Sequence, residues 1–139
     1  MSALFSMTVP GKPVPKGRPK FARVGSFTRA YTPETTRRYE DIVAWEARQI
    51  WKEGPLTTQL RVHVIAYLPI PQRFSKAKEM AAINGSLKPT TRPDADNYAK
   101  SAIDALNGIV FRDDSLITDL IVAKRYDDRP RLEIIVEAA

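Results

Sequence analysis

Leu60, Val62, Val64, Ala66 and Leu68 alternate with Arg61, His63, Ile65 and Tyr67, a period of two that predicts a strand with one buried face. A shorter alternation, Phe5, Met7 and Val9 against Leu4, Ser6 and Thr8, predicts a strand over residues 4–9 that Pro10 stops. Near the C-terminus, Leu116 to Arg125 is strand-like, and Leu132, Ile134 and Val136 alternate with Arg131, Glu133, Ile135 and Glu137. With Asp127-Asp128 as the turn between them, these two runs are expected to pair as an antiparallel hairpin.

Helical spacing marks other segments. Tyr39, Ile42, Val43, Ala47 and Ile50 recur through to Trp51. Thr32-Pro33-Glu34 supplies the start signal: a cap, a proline at the first position and an acid in the first turn. Gly54-Pro55 stops this helix. Ser75 to Ile83 predicts a short helix closed by Asn84-Gly85-Ser86. Ala99, Ala102, Ile103 and Leu106 form a stripe over residues 95–106, ended by Asn107-Gly108. The order is β, loop, α, β, short α, α, β, β. It predicts one α+β domain over residues 1–139, a small mixed sheet with helices packed on one face. Trp45 and Trp51 are expected to pack in the core or at an interface rather than to stack on bases. His63, the only histidine, is expected to be structural.

A chain of 139 residues is long enough to bury a core without disulfide or metal staples. It has no cysteine, which excludes disulfides, thiol catalysis and thiolate zinc sites. The composition fits a reducing cytoplasm. No N-terminal run resembles a secretory signal, and no stretch approaches the ~20 apolar residues of a membrane span. Charge changes the picture more. The net charge is +6 and the pI about 9.7, a bias toward polyanionic partners. Its distribution is uneven. The first acidic residue is Glu34, and Lys12, Lys16, Arg18, Lys20, Arg23 and Arg29 all precede it. Within this block, residues 10–20 are so rich in proline and glycine that no helix can form. Residues 10–31 are expected to form a basic loop whose first part is a stiff cationic strap along phosphates, pre-ordered by its prolines.

Against this basic background one segment concentrates carboxylates. Asp94-Ala95-Asp96-Asn97-Tyr98-Ala99-Lys100 opens the predicted 95–106 helix, and Phe111-Arg112-Asp113-Asp114 follows it. Read one at a time, these residues have structural roles. Asp94 sits at an N-cap, Asp96 favours the helix dipole and faces Lys100 across one turn, and Asp113-Asp114 suits a turn. Read together, they form an oxygen-rich donor set. Hard divalent cations such as Mg2+ bind through a few carboxylates completed by water and substrate phosphate, and the absence of histidine from the set disfavours zinc. Such a cation polarises a scissile phosphate. Lys100, one turn along, is placed to stabilise transition-state charge. A metal-dependent enzyme acting on nucleic acid is the reading that takes these features jointly.

At these residues the sequence resembles the RusA family of Holliday-junction resolvases. The resemblance lies in Asp94-x-Asp96-Asn97-x-x-Lys100, then Asp104-Ala105-Leu106, then Asp113-Asp114 after Phe111. The N-terminal strand and its basic Gly/Pro-rich loop are also similar. The resemblance implies a homodimeric mixed α/β fold, RusA-like, with two active sites. It implies binding of branched DNA and Mg2+-dependent paired nicks (Mn2+ as a substitute) in four-way DNA junctions, in recombination and repair of bacteria or their phages. By position, Asp94, Asp96 and Asp114 would be metal-site residues, Asp113 a supporting carboxylate and Lys100 the catalytic lysine. Candidate phosphate contacts are Lys12, Lys16, Arg18, Lys20, Arg23, Arg29, Lys88 and Arg92. The chain departs from the family pattern at Pro93, often a basic residue there, with Arg92 next to it, and in its basic loop.

Two other readings share these residues. One is a non-catalytic DNA-binding protein of the same fold. The other is a nuclease selective for flaps or another branched structure.

Overall fold

The computed structural model describes residues 3–139. The chain runs β1 (Phe5–Pro10), β2 (Lys20–Val24), β3 (Phe27–Tyr31), α1 (Glu34–Ile50), β4 (Leu60–Leu68), α2 (Lys76–Asn84), α3 (Ala95–Leu106), a single 3-10 turn (Asp114–Leu116), β5 (Ile117–Tyr126) and β6 (Arg131–Ala138). Four strands form one sheet in the order β1-β6-β4-β5, and β2 with β3 makes a separate ribbon.

The period-two runs place one face of the sheet in the core. Phe5, Met7 and Val9 are buried beside Leu132, Ile134 and Val136 of β6 and Leu60, Val62, Val64 and Ala66 of β4. α1 and α3 pack on each other, α1 reaching β1 and α3 reaching β4 and β5. Tyr39, Val43 and Ala47 from α1 meet Tyr98, Ala99, Ala102 and Leu106 from α3 in the same cluster. The opposite face of the sheet carries polar cross-strand pairs. His63 lies 2.6 Å from Glu137, and the Arg131 guanidinium sits 3.8 Å over the Tyr67 ring. Among the described residues no helix is long and apolar enough to cross a membrane.

The expected β5–β6 hairpin does not form. β5 pairs in parallel with β4, whereas β6 pairs antiparallel with β4 on its other side and with β1 beyond. The most apolar strand, β4, thus lies between the more exposed β5 and the equally buried β6. The connection can still be short. Residues 127–130 reach about 13 Å when extended, more than the ~9.6 Å across one intervening strand. The Asp127 N–H donates to the Leu68 carbonyl at 3.0 Å, which ties the crossing to the end of β4.

Three smaller differences concern α1 and the basic segment. Pro33, not Thr32, occupies the α1 N-cap, and no side chain caps the helix. Thr36 joins the buried face of α1, while Ile42, Trp45 and Ile50 are exposed, so Trp45 lies outside the core; Trp51 packs edge-on against Phe5. The expected 10–31 loop is two structures. Residues 13–17 are tucked between helices, and residues 20–31 form the β2–β3 ribbon. Gly25 takes φ 61° in its two-residue turn, as the first central residue of a type II′ hairpin must.

Candidate active site

The strap brings the basic segment to the acidic helix. The Lys16 N–H donates to the Asn97 carbonyl at 2.8 Å, and the Ser101 hydroxyl donates to the Val14 carbonyl at 2.8 Å. From the other side, the Gly17 N–H donates to the Thr36 hydroxyl oxygen at 3.0 Å, and that hydroxyl donates to the Pro15 carbonyl. A β-carbon at Gly17 would sit 3.0 Å from Pro33 and 3.1 Å from the Thr36 oxygen, so glycine lets the strap lie this close. Lys16 closes the joint. Its ammonium lies 2.8 Å from Glu40 and 2.9 Å from Asp104. Partial burial opposes that charge, and the hydrogen bonds it donates to Glu40 and Asp104 more than offset it, so the ammonium is held above the ordinary lysine value. Lys16, one of the candidate phosphate contacts, has two carboxylate partners within the protein.

A second clamp, unannounced by any local pattern, delivers the acidic motif. The Lys124 ammonium of β5 donates to the Thr91 carbonyl at 2.9 Å and to the Pro93 carbonyl at 3.0 Å. Asp94 then stands at the N-cap position of α3 in extended geometry, but its side chain does not cap the helix. Its backbone oxygen accepts from the Asn97 N–H at 3.1 Å, which leaves the carboxylate exposed and unbonded among the described residues. Asp96 and Lys100 project from the next turns, and no ion pair joins them. Asp94 thus holds the N-cap position without a side-chain cap bond, and Asp96 stays in the first turn, where the helix dipole favours it, without pairing to Lys100.

Asp113 and Asp114 divide the work. The Asp113 carboxylate accepts from the Ser115 N–H at 3.0 Å, capping the 3-10 turn, and this hydrogen bonding holds it below the usual carboxylate value. Asp114, the first residue of that turn, is exposed and without a partner among the described residues.

Asp96, Lys100 and Asp114 line one small cavity of about 230 Å³ with Asp104, Ala99, Ile103 and Leu120. Asp94 lines a second cavity of about 260 Å³ with Asn97, Arg18 and Arg92. A third, of about 230 Å³, joins Asn97 and Lys100 to the strap residues 16–19. The three cavities share α3, so the acidic groups lie on one ridge edged by Arg18 and Arg92. Asp96 and Asp114 share a cavity, and Asp94 lines the next one along α3. Among the described residues no three carboxylate or imidazole groups form a ready-made metal cage. Asp104, part of the motif but assigned no role by its spacing, belongs to the same cavity. The remaining basic candidates Lys12, Lys20, Arg23, Arg29 and Lys88 are exposed and, like Arg18 and Arg92, make no ion pair among the described residues.

Comparison with known proteins bears on this ridge. The family model described as Endodeoxyribonuclease RusA matches residues 10–137. The chain is also similar to "Uncharacterized protein YqaN" of Bacillus subtilis (strain 168), 37% identical over 134 residues, covering 95% of this chain and 94% of that protein.

Proposed function

This chain belongs to the RusA family of endodeoxyribonucleases, and we propose that it resolves four-way DNA junctions by paired, divalent-metal-dependent nicks. One observation carries the reading. Asp96, Lys100 and Asp114 line a single cavity, none of them spent on an internal partner among the described residues. Unpaired charges are ordinary on a surface; opposite charges sharing a cavity without pairing leave room for a ligand between them.

The donors fit a hard cation. Mg2+ is commonly held by one or two carboxylates, its other positions filled by water and substrate phosphate. Asp96 and Asp114 are the two carboxylates of the cavity not already paired, Asp104 being matched by Lys16, and Asp94 stands on the adjoining rim. Mn2+ accepts the same oxygen ligands. When bound, the cation supplies Lewis acidity toward the scissile phosphate and its attacking water. The protein's own groups do the rest. Lys100 presents a positive charge to oxygens that become more negative as the phosphorus–oxygen bond breaks. Arg18 and Arg92 hold the flanking phosphates in register beside Asp94. Asp113 is a supporting residue that fixes the turn bearing Asp114.

A junction has two strands to be cut in symmetric positions, and a two-fold dimer of this chain would present one ridge to each. The relative from Bacillus subtilis supports a bacterial or phage origin. The test is cleavage of a labelled synthetic four-way junction beside a flap and a linear duplex of matching sequence, in Mg2+, in Mn2+ and in EDTA. Symmetric nicks in the junction alone, and only with Mg2+ or Mn2+, are expected. Tight junction binding without cleavage in Mg2+ or Mn2+ would instead make this a non-catalytic branched-DNA-binding protein, and cutting of flaps in preference to junctions would change the substrate.

A further inference from the structure

The β2–β3 ribbon has an exposed apolar tip. Every residue from Lys20 to Val24 and from Phe27 to Tyr31 is exposed. The two strands pack on each other and on no other element to a comparable extent. Val24 and Phe27, paired across the turn, are 55% and 74% exposed, and Phe21 is 69% exposed. Side chains of this size normally buy stability by burial, and these bury little within the chain.

We propose that the Val24–Phe27 tip is a wedge that stacks against unpaired or unstacked bases at the branch point of the DNA; this rests on the junction reading above. Charge selects the occupant. Lys20, Arg23 and Arg29 lie on the ribbon with Arg18 at its foot, no carboxylate precedes Glu34, and none of these cations is in an ion pair among the described residues. A polyanion satisfies them, whereas the ribbon of a second copy would bring the same positive charges face to face. Position agrees. Arg18 lines the cavity of Asp94, so the ribbon rises from the rim of the acidic ridge. A five-residue strand extends about 17 Å, and a two-stranded ribbon is narrow enough to enter a DNA groove. Apolar wedges flanked by arginines unstack base steps in several DNA-bending proteins. The cost is lowest where pairing is already interrupted, which makes the tip a selector for branches over continuous duplex.

The test is binding in EDTA to two probes: a four-way junction with 2-aminopurine beside the branch, and a linear duplex with the same base in the stack. The full-length protein is expected to raise 2-aminopurine fluorescence on the junction. Val24→Ala combined with Phe27→Ala should remove most of that rise and about tenfold of junction affinity, the scale of one lost stacking contact. Duplex affinity should stay within about twofold. Arg23→Ala with Arg29→Ala should weaken both probes. Sedimentation should give the same mass for wild type and variants. A changed mass in the tip variant would make the ribbon a contact between copies and overturn the wedge. A tip variant with unchanged fluorescence and selectivity would overturn it too. Junction binding by wild type with no fluorescence rise sinks the wedge and leaves the proposed function standing; failure to bind the junction at all removes both.

Discussion

The Lys16 ammonium lies 2.9 Å from the Asp104 carboxylate, which itself lines the cavity of Asp96 and Asp114. Because Glu40 of α1 holds the same ammonium at 2.8 Å, this one cation joins the strap, α1 and α3. Lys16→Met keeps much of the stem and removes the charge. It is expected to lower stability by about 1–2 kcal/mol, between the worth of exposed and buried pairs. Cleavage should fall further than stability accounts for, because Asp104 gains an unmatched charge beside the metal-site carboxylates. Equal cleavage rates and melting temperatures for wild type and variant would show the joint to be idle.

The same pairing predicts a contrast in salt dependence. A lysine already matched within the protein releases no counterion when DNA binds. Arg18→Ala should weaken junction binding and reduce the slope of log K against log salt by about 1. Lys16→Met should leave that slope unchanged, whatever it does to the rate. Binding titrations of the two variants over a range of salt concentrations give the answer directly, and the two slopes should not move together.

The neighbouring aspartates should separate sharply. Asp114→Asn and Asp96→Asn are expected to reduce cleavage by at least about 100-fold, the scale of losing one main electrostatic contributor. Junction binding should be kept or tightened, since each change removes negative charge from the DNA face. Asp113→Asn retains an oxygen that can accept from the Ser115 N–H, so it should cleave within severalfold of wild type. If Asp113→Asn proves as inactive as Asp114→Asn, the division between support and metal site is wrong.

Stability should fall at both ends of the pH scale for opposite reasons. Hydrogen bonding by Ser115 lowers Asp113, hydrogen bonding by Thr118 lowers Asp119, and the Arg129 N–H lowers Asp127. Each is more acidic folded than unfolded. Its contribution is present above the ordinary carboxylate value near pH ~4 and is lost as pH falls through the depressed folded value. Lys16 is raised on folding. Its contribution is present below the ordinary value near pH ~10.4 and is lost as pH rises through the raised one. Melting temperature against pH should show a plateau between these limits. Burial also raises the Tyr39 and Tyr98 hydroxyls, which add to the alkaline fall, so Lys16→Met should lessen that fall without abolishing it and spare the acid one.

How far residues reveal the fold depends on the range over which their roles are decided. α3 and β4 occupy the residues their apolar spacing marks, 95–106 and 60–68, because local period and burial coincide there. Asp94, Asp96, Lys100 and Asp114 were recognisable as a cluster because one helix and one following turn carry them. The β2–β3 ribbon had a local signal, Gly25-Ser26 between alternating residues, but the proline-rich strap before it dominates the composition. Strand order was not legible, because β5 and β6 fit a hairpin equally well until β4 competes for both. Lys16 and Lys124 look like any surface lysine. Their partners, Asp104 and the Pro93 carbonyl, are 88 and 31 residues away in the chain, and only the packed fold brings them together.

Lys124 offers the clearest test of positioning without direct chemistry. Its ammonium binds the Thr91 and Pro93 carbonyls, the last fixed points before Asp94. Lys124→Met frees that approach, and both carbonyls are near enough to the surface to find water, so the stability loss should be only about 1 kcal/mol. Catalysis is less forgiving, since a displacement of about 1 Å at a reacting group can cost up to about 100-fold. Single-turnover cleavage should therefore slow by roughly tenfold or more while junction affinity changes little, and Lys124→Arg should restore part of the rate by donating to the same carbonyls. A loss of affinity that matches the loss of rate would instead mark Lys124 as a DNA contact. An unchanged rate in Lys124→Met would mean that Asp94 is held in place by α3 alone.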